Sequence, residues 1–125
     1  MIVGVGIDVI QNDRIRDSIA RFGPRFLNRI YTQTEIDYCA NCGDPAIHYA
    51  ARFAAKEAGM KAIGTGWKRG VRWKDLEVAN LPSGRPTLRL HGEAAKIAER
   101  LGVKSILLSI THTAQFGMAQ VILEN

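Results

Sequence analysis

The first ten residues form a nearly unbroken apolar run, Met1 to Ile10, dense in Val and Ile with glycine at positions 4 and 6. This pattern predicts a buried β-strand over which another backbone passes closely, because glycine removes the side chain that would hold two backbones apart. Asp8 stands near its C-terminal end. From Asn12 or Asp13, either of which suits a helix cap, Ile15, Ile19 and Phe22 follow helical spacing to a stop at Gly23-Pro24. The opposite face of that helix carries Arg14, Ser18 and Arg21. Thr32 to Glu35 fits a capping box that opens a short helix through about Cys39. Asp44-Pro45 fits an N-cap followed by proline at the first helical position.

The helix that starts there runs from Pro45 to about Ile63 and ends at Gly64, and its many alanines favour helix while letting neighbouring elements approach. Beyond Gly64-Thr65-Gly66, Trp73 to Ala79 reads as extended, Pro82 to Pro86 as a turn and Thr87 to His91 as a strand, which together suggest a hairpin. Ala94, Ile97, Ala98 and Leu101 give Glu93 to Leu101 a helical period with Gly102 as its stop. Val103 to Ile110 and Phe116 to Leu123 close the chain as two apolar strands.

At 125 residues and 46% hydrophobic content the chain suits one compact domain, residues 1–125, with no linker. No apolar stretch approaches the roughly 20 residues that cross a bilayer, and Met1 to Ile10 lacks the basic leader and cleavage pattern of a signal peptide. The expectation is a cytoplasmic protein with no membrane contact. Cys39 and Cys42 are spaced C-x-x-C, but no second pair completes four zinc ligands, so they read as two ordinary thiols. A net charge of +5 favours an acidic partner without choosing among nucleic acid, phosphorylated metabolites and acidic proteins.

Two carboxylates change the picture. Glu57 falls within the apolar arc of the long helix, with Ala50, Phe53 and Ala54, where a buried negative charge demands a cation. Lys61, one turn on, is the simple candidate, and a metal ion is the other. Asp8, at the end of a buried strand, raises the same question, with capping of the next helix as its ordinary role. Mg²⁺ commonly takes one or two carboxylates and completes its octahedron with water and substrate phosphates. His48, Arg52 and Lys56 form a basic strip on the opposite arc, most simply a solvated face. Ser109 to Thr113 ends an apolar strand in hydroxyls and the imidazole of His112, all able to bind phosphate. Gly64 and Gly66 offer backbone N–H groups to an anion, or merely terminate a helix.

Taken together, Gly6-Ile7-Asp8-Val9-Ile10, Arg52-Phe53-Ala54-Ala55-Lys56-Glu57-Ala58 with Lys61-Ala62, Gly64-Thr65-Gly66 and Ser109-Ile110-Thr111-His112-Thr113 resemble the holo-acyl-carrier-protein synthase family. The resemblance extends over nearly the whole chain, including Ser83-Gly84-Arg85-Pro86 and Ala119-Gln120-Val121. Ala51 stands where many members have glycine, and Gly117 where alanine is common. The resemblance implies an α+β (α/β) fold, a small antiparallel sheet packed with a long central helix, in a single unit that forms a homotrimer with sites at the subunit interfaces.

It also implies the chemistry: transfer of the 4′-phosphopantetheine of coenzyme A to a serine of apo acyl carrier protein, releasing adenosine 3′,5′-bisphosphate. Mg²⁺, or Mn²⁺ in its place, would be held by Asp8 and Glu57, with Glu57 helping to deprotonate the serine through a metal-bound water and Lys61 reaching the pyrophosphate. Coenzyme A would lie among Arg52, Lys61, Gly64, Gly66, Arg85, Thr111 and His112. Arg14, Arg21 and Arg25 would dock the acidic helix of the carrier, with Ile15 and Phe26 as apolar anchors or core. Two rivals remain. Trp67, Lys68, Arg69, Arg72, Trp73 and Lys74 interleave aromatics with charge as a nucleic-acid-binding module does. A non-catalytic oligomer that only binds a nucleotide-like metabolite is the other.

Overall fold

A computed structural model describes residues 1–66 and 70–125. The elements are β1 (Ile2–Gln11), α1 (Asn12–Phe22), α2 (Pro24–Ile30), α3 (Gln33–Ala40), α4 (Pro45–Ile63), a 3₁₀ turn (Trp73–Asp75), β2 (Leu76–Asn80), β3 (Pro86–Leu90), α5 (Gly92–Arg100), β4 (Ser105–His112) and β5 (Phe116–Glu124). β1, β5 and β4 make a three-stranded antiparallel sheet in that order, and β2 and β3 a two-stranded hairpin. The expected α+β arrangement around a long helix is therefore what the chain adopts.

α4 is the hub, packed on β1 and β5 and touching α1, α3, β2 and β4. Its approach to β1 explains the early glycines: a Cβ on Gly6 would collide with the Ala58 carbonyl, and one on Gly4 with that of Ala62. The helix backbone thus lies directly on the strand, where only hydrogen fits. The two departures from the family pattern meet at one contact. A Cβ on Gly117 would sit 3.0 Å from the Ala51 nitrogen, so the strand lacks a side chain where the helix has one.

Several expectations need correction. Asn12 does not cap α1; it is its first residue, fully buried, and its Nδ2 donates to the Thr113 carbonyl at 2.9 Å, tying α1 to the β4–β5 turn. Gly23-Pro24 ends α1 only to begin α2, with proline in its first turn, where its missing N–H costs nothing. Phe22 is 52% exposed, whereas Ile15 is core. Trp73 to Asp75 is a 3₁₀ turn before a shorter strand, and β4 runs two residues later than expected, to His112.

The basic strip is the largest correction. Lys56 is fully buried and Arg52 is 7% exposed, because α4 is covered on both arcs, by the sheet on one side and by α3 and β2 on the other. Lys56 Nζ donates to Glu35 Oε1 at 2.7 Å and to the Leu76 carbonyl at 2.6 Å. Glu35 does form the expected capping box with Thr32, and its other oxygen accepts from Val78 N–H at 2.9 Å. One buried ion pair therefore joins α3, α4 and β2, with both carboxylate oxygens and the ammonium hydrogen-bonded as burial requires.

Candidate active site

The crossing of α4 over β1 brings Asp8 and Glu57 together. Asp8, on the edge strand β1, pairs in register with Ala119 of the central strand and points to the helix side, largely shielded. Glu57 sits half-buried on α4, one turn before Lys61. Its carboxyl is held above the usual carboxylate range, by burial first and then by the negative charge of Asp8 beside it. Lys61 does not form the simple i, i+4 pair with Glu57. Its Nζ donates instead to Asp8 Oδ1 at 3.1 Å and to the Ile7 carbonyl at 2.9 Å. The charges of Lys61 and Arg14 partly offset the rise at Glu57.

Two adjacent carboxylates, one of them resisting ionisation, fit a hard divalent cation with oxygen ligands. Among the described residues no third His, Cys, Asp or Glu joins them, so such an ion would take its remaining ligands from water and substrate.

A second cluster lies along α4 toward its N-terminus. Arg52 and His48, one turn apart, meet His112 from the end of β4 and Tyr38 from α3. With Gly84 and Pro86 of the hairpin turn they line a pocket of about 190 Å³. The Arg52 guanidinium lies 4.0 Å from the centre of the Tyr38 ring, and the His48 and His112 rings are 5.3 Å apart. Nε of Arg52 is buried with no hydrogen-bond partner among the described residues, a donor that a ligand anion would satisfy.

The remaining expected site residues divide. Arg85 is exposed in the turn but does not line this pocket. Thr111 is on the other face of the sheet from the pocket, where it lines a shallow cavity with Ile7, Ser109, Met118 and Gln120. Gly64 adopts a left-handed φ of 80° and its N–H bonds the Met60 and Lys61 carbonyls, so it ends the helix and does not offer that N–H to an anion. Gly66 is exposed beside the undescribed residues 67–69. Arg14, Arg21 and Arg25 are all exposed. Arg21 and Phe22 line one groove of about 470 Å³, and Phe22, Arg25, Phe26 and Arg29 a second of about 320 Å³.

Sequence reasoning missed His48 and Tyr38 as pocket walls. The i, i+4 spacing of His48 and Arg52 was visible, but the side they face was not. The aromatic and basic stretch loses part of its case. Trp67, Lys68 and Arg69 lie outside the described residues, Trp73 stacks on Phe53 at 4.8 Å, and Arg72 pairs with Asp75 at 3.2 Å. Cys39 and Cys42 are free thiols, and burial pushes the Cys39 pKa up to about 12, which leaves it inert.

Comparison with known proteins identifies the family. Residues 4–120 match the family described as the 4′-phosphopantetheinyl transferase superfamily. A holo-[acyl-carrier-protein] synthase from Solibacter usitatus (strain Ellin6076) is 65% identical over 125 residues, covering 100% of both chains. The crystal structure of holo-[acyl-carrier-protein] synthase from Neisseria meningitidis superposes with a TM-score of 0.89 at 33% identity, covering 100% of both chains. That from Bacillus anthracis str. Ames, solved in complex with coenzyme A (3′,5′-ADP), gives a TM-score of 0.80 at 37% identity over 98% of this chain and 96% of the other. By sequence and by fold, the chain belongs to the holo-[acyl-carrier-protein] synthase family of 4′-phosphopantetheinyl transferases.

Proposed function

We propose that residues 1–125 act as one transferase domain that moves 4′-phosphopantetheine from coenzyme A to a serine of apo acyl carrier protein, with Mg²⁺ held by Asp8 and Glu57. The observation that carries this reading is the juxtaposition of those carboxylates with Lys61 at the crossing of α4 and β1, in a chain of this family.

The serine Oγ bonds to the phosphorus that bears pantetheine as the bond to the leaving phosphate breaks, so adenosine 3′,5′-bisphosphate departs. When bound, Mg²⁺ supplies charge neutralisation at the pyrophosphate, the largest electrostatic need of such a displacement. Glu57 takes the serine proton at its carboxylate. Lys61, 54% exposed at its side chain, is free to leave Asp8 and meet a phosphate oxygen. Arg52, His48 and His112 receive the 3′-phosphate and adenine end of the coenzyme. Arg21, Arg25 and Arg29, with the exposed Phe22 among them, make a basic groove with an apolar centre for the acidic helix of a carrier.

The sheet supports a homotrimer. α4 covers one face of it, while Val5, Ile7, Val9, Leu107, Phe116 and Met118 on the other side are each at least 40% exposed. Such a patch on a small domain marks an interface, and copies of this chain are its occupants in this reading. Coenzyme A then bridges two subunits. No helix of the described residues is long and apolar enough to cross a membrane, and two free thiols suit a reducing cytoplasm.

The test is mass spectrometry of an apo acyl carrier protein incubated with this protein, coenzyme A and Mg²⁺. A phosphopantetheine increment on one serine is the expected result. No increment with carriers of fatty-acid and polyketide type alike overturns the assignment and leaves the metabolite-binding alternative.

A further inference from the structure

We infer that His48 is a specificity residue of the Arg52 pocket, one that takes up a proton when a phosphomonoester enters and so makes selection for the 3′-phosphate of coenzyme A depend on pH. This rests on the coenzyme reading above. It adds a residue that had been placed on a solvated face, and it gives that residue a measurable role.

Among the described residues the pocket is lined by positive and donor groups and by no carboxylate. Arg52 is 93% buried, since only 7% of it is exposed, and its Nε has no partner among the described residues. Among the described residues the carboxylate whose charge acts on His48, Asp44, is already bound by Arg16, with nitrogen–oxygen distances of 3.1 and 3.2 Å. Tyr38 from α3 offers its ring, which is 4.0 Å from the Arg52 guanidinium and 6.3 Å from the His48 imidazole. β4 contributes the His112 imidazole, 5.3 Å from that of His48. The hairpin turn presents Gly84 and Pro86 to the pocket, while its charged residue, Arg85, stays outside the lining. Among the described residues these are the titratable and charged groups that His48 faces.

In the empty pocket this surrounding acts against a charged His48. Burial lowers its pKa below 6.5, the His112 and Arg52 charges lower it further, and Asp44 opposes them. A phosphate dianion seated against Arg52 reverses the balance, because it adds negative charge where only positive charge acted before. His48 then gains a proton and donates a charge-assisted hydrogen bond to the phosphate. The sign follows from linkage. With the pKa higher in the complex than in the free protein, the extra affinity is fully present below the free value and is lost as pH rises through the bound value. A neutral 2′,3′-diol end, as in dephospho-coenzyme A, leaves His48 uncharged and gains nothing.

The experiment measures binding of coenzyme A and of dephospho-coenzyme A to the full chain by calorimetry at pH 6.5 and pH 8.5, for wild type and for His48→Gln. The expected result is about a tenfold loss of coenzyme A affinity in His48→Gln at pH 6.5, about twofold or less at pH 8.5, and no change for dephospho-coenzyme A. The phosphate's own second ionisation, near pH 6, is common to both proteins and cancels in the comparison. Equal weakening of both ligands, or an unchanged coenzyme A affinity at both pH values, overturns the inference. Where wild type prefers coenzyme A and His48→Gln keeps that preference with the same pH slope, the inference alone falls. Where wild type itself does not prefer coenzyme A over the dephospho form, the coenzyme reading of the pocket falls with it.

Discussion

Lys56 Nζ lies 2.7 Å from Glu35 Oε1 with neither side chain exposed to solvent, one residue before the Glu57 of the candidate active site. The pair fixes the rotation of α4 against α3 and β2, and with it the direction in which Glu57 and Lys61 project. Removing one partner strands a buried charge, so Lys56→Met should destabilise the protein by about 3–5 kcal/mol, read as a lowered urea midpoint. The double variant Lys56→Met, Glu35→Leu should not recover wild-type stability, because Glu35 also accepts from Thr32 and Val78 N–H groups that would be left without partners.

Glu57 of the candidate active site carries an opposite signature. The Glu57 pKa is raised in the folded chain, so the cost of ionising it grows as pH rises from the ordinary carboxylate value through the folded one, and is fully present at neutrality. Glu57→Gln should therefore raise the metal-free melting temperature at pH 7 by a small margin, about 1–2 °C after allowance for solvent screening, and erase it near pH 4. Mg²⁺ should raise the wild-type melting temperature and leave the variant unmoved. Transfer should be abolished in Glu57→Gln and in Asp8→Asn; near-normal activity in either would remove that residue from the metal seat.

Charge reversal on the α1–α2 surface separates docking from chemistry. Arg21→Glu should raise the carrier KM about tenfold or more with little change in kcat, because its guanidinium lies in the groove and away from Glu57. Arg14→Glu should lower kcat as well, since the Arg14 charge is felt at Glu57. Equal effects of the two variants on both constants would argue that they do not sit at separate parts of the surface.

The exposed sheet face gives a prediction about assembly. Val9→Asp places a charge within the apolar patch, and light scattering should then report a monomer, against the trimer expected of wild type on the proposed assembly. Activity should fall with the trimer if the coenzyme bridges subunits. A monomeric variant with full activity would overturn the shared site while leaving the fold untouched.

Gly6→Ala tests the helix–strand crossing itself. The added methyl meets the Ala58 carbonyl, which is backbone and cannot rotate away, so the loss should lie at or beyond the top of the about 1–3 kcal/mol usual for overpacking. Gly117→Ala, whose nearest contacts are at 3.0–3.2 Å, should cost less.

What the sequence determined by itself was local. The period of α4, the capping box at Thr32, the stop at Gly64 and the close approach at Gly4 and Gly6 follow from residue type and spacing, because each depends on backbone groups a few positions apart or on the bare absence of a side chain. The family motifs added the pairing of Asp8 with Glu57 across 49 positions, which no helical wheel contains. Only the tertiary structure decided what surrounds each face of α4. A wheel divides a helix into one buried and one wet arc, but this helix is covered on both, so Lys56 became a buried cation instead of a solvated one. The same enclosure turned His48 and Arg52 into a pocket wall, and alternation along β4 sent Thr111 to the opposite face from that pocket. Burial is a property of the neighbours a residue acquires, and those come from positions the local pattern cannot reach.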